Sequence, residues 1–396
     1  MLLDSPYRPH NPGWDYYEPG TYLITLVVAD REPLLSTLGT DPRHPEAFPT
    51  PLGSAVLEAW RRIDSHYADK GWKVRAREAV CMPDHFHGVI TVESRIDRHL
   101  GEIIRSFKIA CTQAKRSLLQ GEQPKKSLLQ GEQPSMAANR QGGSEEYSEP
   151  LFMGKPISRL SHNQRAAYSS TLAPTAAPLF DANYDDSIAL REGQEEAMIH
   201  YVLDNPRRAI LRRTYPQLFE KRLHIEIAGQ DYAAYGNLFL LKWGWKVPVK
   251  CHRWRMVGNQ RDYNTHYEQS AEFASQLDEL KRQAAGGALL VTPAISKGEQ
   301  IVRNMCLDQH IPLILLQKEP IEPYWKPEQR RFDACAEGLL LILAPWQLEN
   351  LGTATRTYAD GTTEEIPADT DYSRFHNMNN LAIELSRYTG ETKIKR

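Results

Sequence analysis

The sequence predicts an α+β domain in its N-terminal half and an α/β domain after it. Three observations carry that reading. In the first 120 residues, apolar patterns of strand and helix period follow one another in the order β-α-β-β-α. Beyond about residue 220, short continuous apolar runs alternate with helical patterns, as in a parallel sheet covered on both faces. Between the two, roughly residues 120–177, composition turns to Ser, Gly, Asn, Pro and Ala and cannot bury a core.

Each element has its own signal. Residues 22–28 (YLITLVV) are apolar and rich in β-branched side chains, a strand. Residues 55–67 place Val56, Leu57, Trp60, Ile63 and Tyr67 at helical spacing. Residues 74–80 and 85–92 read as two strands joined by a turn at Met82-Pro83-Asp84. Residues 100–119 form a second helix with Ile103, Ile104, Phe107, Cys111 and Leu118 on or near one face. A last strand at 179–190 completes a ferredoxin-like sheet with both helices on one side. A helix over 194–203 is expected to stop near Asn205, because Pro206 disfavours helical geometry before it. Within the intervening segment, KRSLLQGEQP (115–124) repeats as KKSLLQGEQP (125–134). Two copies make no solenoid, and the segment reads as a mobile insertion.

The C-terminal half offers apolar segments at 237–241, 288–292, 312–316 and 339–344, with helices at 268–283, 298–307 and 372–388. That alternation argues for a Rossmann-like α/β domain. The expected domains are therefore 1–215 and 216–396. Residues 286–299 (GGALLVTPAISKGE) read as strand, loop and helix, an arrangement that holds a nucleotide or phosphate on backbone amides, although no glycine-rich fingerprint is present.

Composition sets bounds. A net charge of −2 gives no whole-protein signature for nucleic acid, so any such contact needs a local patch. The start, MLLDSP, does not read as a signal peptide, and the longest apolar run, 339–344, is far short of the roughly 20 residues of a membrane helix. Five scattered cysteines without a C-x-x-C pair point to reduced thiols and a cytoplasmic protein, with no membrane partner.

His85-Phe86-His87 is the most informative feature. On a strand, positions i and i+2 share a face, so both imidazoles point one way and Phe86 points into the core. Two neutral imidazoles so placed suit a divalent metal. The context, CMPDHFHGVI (81–90), closely resembles the MPNHFHGII signature of REP-associated and related single-tyrosine transposases, members of the HUH endonuclease superfamily. LGEIIRSFK (100–108) matches that family's LGxIIxSFK, and HYVLDNP (200–206) resembles its YIxNNP. The matches occur in the family's order and span about residues 20–215.

The resemblance implies cleavage and strand transfer of single-stranded or hairpin DNA through a 5′-phosphotyrosine link. It implies Tyr201 as nucleophile and His85, His87 and Asn205 as ligands of Mg²⁺ or Mn²⁺, with Asn205 four residues from Tyr201 on one helix face. Tyr184 is the alternative nucleophile, and zinc on Cys81, His85 and His87 the alternative metal site. Asp84 either orients a histidine or forms the turn. Lys73, Arg75, Arg77, Arg105, Lys108, Arg207, Arg208, Arg212 and Arg213 are the expected phosphate contacts, and Trp72 and Phe107 the candidate stacking residues. A homodimer is the oligomer to consider. The competing reading is a DNA- or nucleotide-binding protein that keeps the fold but does not cut.

Overall fold

The computed structural model describes residues 13–120, 177–251, 266–346, 352–358 and 361–390, together with the backbone of short strands at 151–152, 155–156, 255–257, 260–262 and 393–394. Most of the expected insertion at 120–177 lies outside the described residues. The chain divides into two compact units, Met1–Ile210 and Leu211–Arg396, both mixed α/β.

In the first unit the elements run β1 (Gly20–Val27), α1 (Pro51–Arg61), α2 (Ile63–Ala68), β2 (Val74–Cys81), β3 (His85–Val92), α3 (Leu100–Leu119), β4 (Asp185–Ile188) and α4 (Gln194–Thr214). The sheet order is β2-β3-β1-β4, with every neighbouring pair antiparallel. Strict alternation gives the sheet two different faces. Tyr22, Ile24 and Leu26 of β1 and Phe86 and Ile90 of β3 point to one side, where Trp60 of α1 and Ile103, Ile104 and Phe107 of α3 close a fully buried core. Gly88 belongs to that side. A Cβ there would lie 2.7 Å from the Trp60 ring, so only glycine lets the indole rest on the strand.

The helix expected at 55–67 is two helices, α1 and α2, meeting at Arg62. Thr50 caps α1 by accepting from the Gly53 amide at 3.0 Å, and Pro51 occupies the first turn, where its missing N–H costs nothing. The helix expected to stop near Asn205 instead continues through Pro206 to Thr214. An interior proline costs about 3 kcal/mol. Burial of Ile210 and Leu211 beyond it offsets that loss.

In the second unit β5 (Glu220–Ile227), β6 (Gln230–Gly236), β7 (Lys246–Pro248), α5 (Ala271–Ala285), β8 (Leu289–Thr292), α6 (Lys297–Asp308), β9 (Leu313–Leu316), α7 (Gln329–Ala336), β10 (Leu340–Pro345) and α8 (Asp371–Arg387) build one sheet and its cover. The order is β7-β8-β9-β10-β6-β5, followed by the strand Lys393–Ile394. The first four strands are parallel and the rest antiparallel. α5, α6 and α7 contribute Phe273, Val302 and Phe332 to the core on one face, and α8 contributes Met378, Leu381 and Leu385 on the other. Burial on both faces explains why β8, β9 and β10 are continuous apolar runs. Residues 237–241, expected as a strand, form a 3-10 helix at Leu238–Lys242, started by Asn237 accepting from the Phe239 amide. Among the described residues no helix is long and apolar enough to cross a membrane.

Candidate active site

β3 starts at His85, so His85, His87 and Val89 occupy the sheet face away from α1 and α3. The two imidazole centroids are 4.8 Å apart. Each ring is held at Nδ1. Asp84 Oδ1 lies 2.6 Å from His85 Nδ1, and Thr25 Oγ1 lies 2.8 Å from His87 Nδ1. Thr25 is there because β1 pairs with β3 in the register Thr25↔His87. The hydrogen bond to His85, together with Arg31 at 3.1 Å, lowers the Asp84 carboxyl to about 2. An ionised carboxylate only accepts, so His85 donates its Nδ1–H and carries its lone pair on Nε2. The Thr25 hydroxyl fixes the same arrangement in His87 when it accepts. Asp30 and Arg31 both take left-handed backbone angles (φ 57° and 53°), and this turn brings Arg31 back to Asp84.

α4 covers this face. Met198 and Val202 pack on Val89, and Glu195 accepts from Thr21 Oγ1 at 3.1 Å and from Arg77 Nη1 at 2.7 Å. These contacts fix the rotation of the helix about its axis. Positions 198, 201, 202 and 205 then form the stripe facing the sheet. The Tyr201 ring lies 5.6 Å from the His87 ring, and the Arg208 guanidinium lies 5.4 Å from the Tyr201 ring on its other contact. Asn205, 9% exposed, donates its Nδ2 to the Tyr201 carbonyl at 2.7 Å, which leaves Oδ1 as the side chain's acceptor atom. His87 is 5% exposed, whereas the His85 side chain keeps 23% of its surface, so the site opens on the His85 side.

The remaining expected residues fall elsewhere. Tyr184 packs against the core on the helix side of the sheet, as Asp186 does through Tyr16, and burial raises its hydroxyl well above the ordinary range. It is on the opposite face from the histidines. Cys81 is on that face too, donating to the Gly53 carbonyl, and burial pushes its thiol up to about 12. The zinc alternative therefore fails on geometry. Lys108, expected on phosphate, instead donates to the carbonyls of Asp181, Ala182 and Asn183. Phe107, expected to stack on a base, is fully buried between Trp60 and Phe86. Trp72 is stacked on Tyr67 at 5.1 Å. Arg75 pairs with Glu93, Arg77 with Glu195 and Arg207 with Asp204. Arg208 is 3% exposed, and Arg212 lies over Phe332 in the second unit. Lys73, Arg105 and Arg213 are exposed.

Among the described residues there is no group of three His, Cys, Asp or Glu side chains with metal-binding spacing, and the candidate set here is two imidazoles and an amide. Sequence reasoning missed Thr25, Arg31 and Glu195. Their roles depend on strand register and loop path, for which a single sequence carries no signal. No family model matches the chain, and no curated protein matches it.

Proposed function

We propose that the first unit is a ferredoxin-like HUH domain that cuts single-stranded or hairpin DNA with Tyr201 and transfers the strand. The observation that supports this most is Tyr201 against His87, on a sheet face where both histidines are held at Nδ1. A packing tyrosine would need neither.

His85, His87 and Asn205 Oδ1 suit a divalent cation that takes nitrogen and oxygen donors, Mn²⁺ or Mg²⁺. When bound, such an ion polarises the scissile phosphate and offsets charge on the leaving oxygen. The protein's own part is positional. The Glu195 contacts and the Met198–Val202 packing hold the helix, and Arg208 fixes the phenol ring. The Tyr201 hydroxyl oxygen attacks phosphorus, a tyrosine O–P bond forms and the bond from phosphorus to the 3′ oxygen breaks. The phenol proton leaves to solvent, and the 3′ oxygen departs as a free hydroxyl. The phosphotyrosine keeps a reactive ester for the joining step.

Labelled hairpin DNA incubated with the full chain and Mn²⁺ tests this. A covalent adduct on a denaturing gel is expected from the wild type and from neither Tyr201→Phe nor His87→Ala. Adduct from Tyr201→Phe would remove Tyr201 from the reaction. Binding without adduct, across a pool of hairpins, would favour the reading in which the fold binds DNA and does not cut it.

A further inference from the structure

The second unit holds a cavity of about 280 Å³ at the carboxyl ends of its parallel strands. Its wall runs from Pro293–Ile295, directly after β8, to Leu315–Glu319, at the end of β9. In open α/β sheets ligands bind outside the carboxyl ends of the strands, most often where the strand order reverses, although β8 and β9 lie within an unreversed run. The position is geometric, and the wall decides what it can hold.

Three of the charged side chains on the wall are cationic, Arg303, Lys318 and Arg331, and one, Glu319, is anionic. Lys318 is paired with Asp371 at 2.9 Å. The two arginines differ. Arg331 donates to Gln317 Oε1 at 3.2 Å, and its Nε lies 3.3 Å from Glu328, whose side chain is 64% exposed. Arg303 has no carboxylate partner among the described contacts and hydrogen-bonds only the Asn304 amide oxygen, at 3.1 and 3.0 Å. Half-burial lowers the Arg303 guanidinium from its usual value, and Arg331 lowers it further. Two guanidiniums are thus brought to one concave surface, their repulsion offset in part by Glu328, which acts on both. Gln317, 7% exposed, is held between Arg331 and the Glu319 carbonyl, so the Arg331 end of the wall is built and not loose. The rest of the lining is apolar, with Ile295, Leu315, Phe375 and Met378.

A ligand that matches must place a dianion on the arginines and a flat or apolar body against the other wall. Arg presents a planar fork that suits phosphate oxygens in pairs. Ligand cavities span about 300–1,000 Å³, so a volume at the bottom of that range admits a single nucleotide and not a dinucleotide. We propose that this cavity binds a nucleoside 5′-phosphate, with the phosphate on Arg303 and Arg331. The ligand is either a free mononucleotide or the 5′-phosphorylated end of a DNA strand. This site is in the second unit and does not depend on cleavage by Tyr201.

Equilibrium dialysis of the full chain against each of the four deoxynucleoside 5′-monophosphates, and against hexathymidylate with and without a 5′-phosphate, tests the proposal. Saturable binding of at least one phosphorylated probe is expected. Arg303→Gln and Arg331→Gln should each weaken it about tenfold or more, a loss near that of one charge-assisted hydrogen bond. Lys281→Gln, on the exposed side of α5, should leave it unchanged. Binding of mononucleotides alone assigns the site to a small ligand, and preference for the phosphorylated oligonucleotide assigns it to a strand end. No binding of any phosphorylated probe by the wild type would overturn the proposal whatever the variants do. Binding of the phosphorylated probes that neither arginine variant weakens would do the same.

Discussion

The two faces of the four-stranded sheet are made by the same strands and do opposite work. Along β3, Phe86, Gly88 and Ile90 meet Trp60 and Phe107, while His85, His87 and Val89 take the other face, where His87 and Val89 meet α4. Along β3 the first of these faces is apolar. The other carries two imidazoles, a threonine and an amide in a small apolar frame. A strand's period of two lets one segment serve stability and chemistry without either compromising the other.

The sharpest test of that division is Phe86→Ala. It should destabilise the first unit by about 3–5 kcal/mol in urea unfolding. His87→Ala, one residue away, should cost no more than about 1.5 kcal/mol, the worth of a hydrogen bond. Equal losses would erase the distinction between the faces. Gly88→Ala comes next, at about 1–3 kcal/mol from the clash with Trp60. Partial rescue by a smaller side chain at Trp60 would pin the cause on that contact. On the other face, Asp84→Ala and Thr25→Val should leave folding nearly intact and weaken Mn²⁺ binding about 10- to 100-fold, read by electron paramagnetic resonance of the free ion. Unchanged affinity would mean the two Nδ1 contacts only shape the strand ends. The smallest effect is a pH dependence at the sheet's margin. Burial lowers Lys108 to about 8, below the 10.4 of an exposed lysine. The unfolded chain therefore binds more protons between those values, and stability should rise with pH across that interval. The melting midpoint of wild type minus that of Lys108→Met should increase from pH 7.5 to 9.5. A flat difference would show that the three carbonyls offset the burial.

How far the sequence could be read follows the same division. His85, His87 and Val89 could be put on one face from alternation alone, and so could Phe86 on the other. Helical spacing alone put Tyr201 and Asn205 on one face, while their roles came only from the family resemblance. Tyr184 stayed open as the alternative nucleophile because its sheet face depends on the register Tyr22↔Ile188, which no local pattern reveals. Lys108 looked like a surface cation because the carbonyls that hold it are about 70 residues further along the chain. In the second unit the buried parallel strands were plain, but the hairpin of β5 and β6 was not. Its two-residue turn is Ala228-Gly229, both left-handed, and alanine gives a weak signal where asparagine would give a strong one. The helix through Pro206 was cut short because local preference was weighed without the burial beyond it.

The hydrogen bonds at the two Nδ1 atoms have one more consequence. An imidazole on a free strand samples several rotamers, and a ligand must select one of them. Here the selection is made when the strands pair, so the entropy of ordering both rings is lost in folding and not on binding. If the proposed cation binds here, a variant that keeps the fold but releases either ring should bind it with a less favourable entropy and little change in enthalpy, a signature that calorimetry separates from the loss of a ligand.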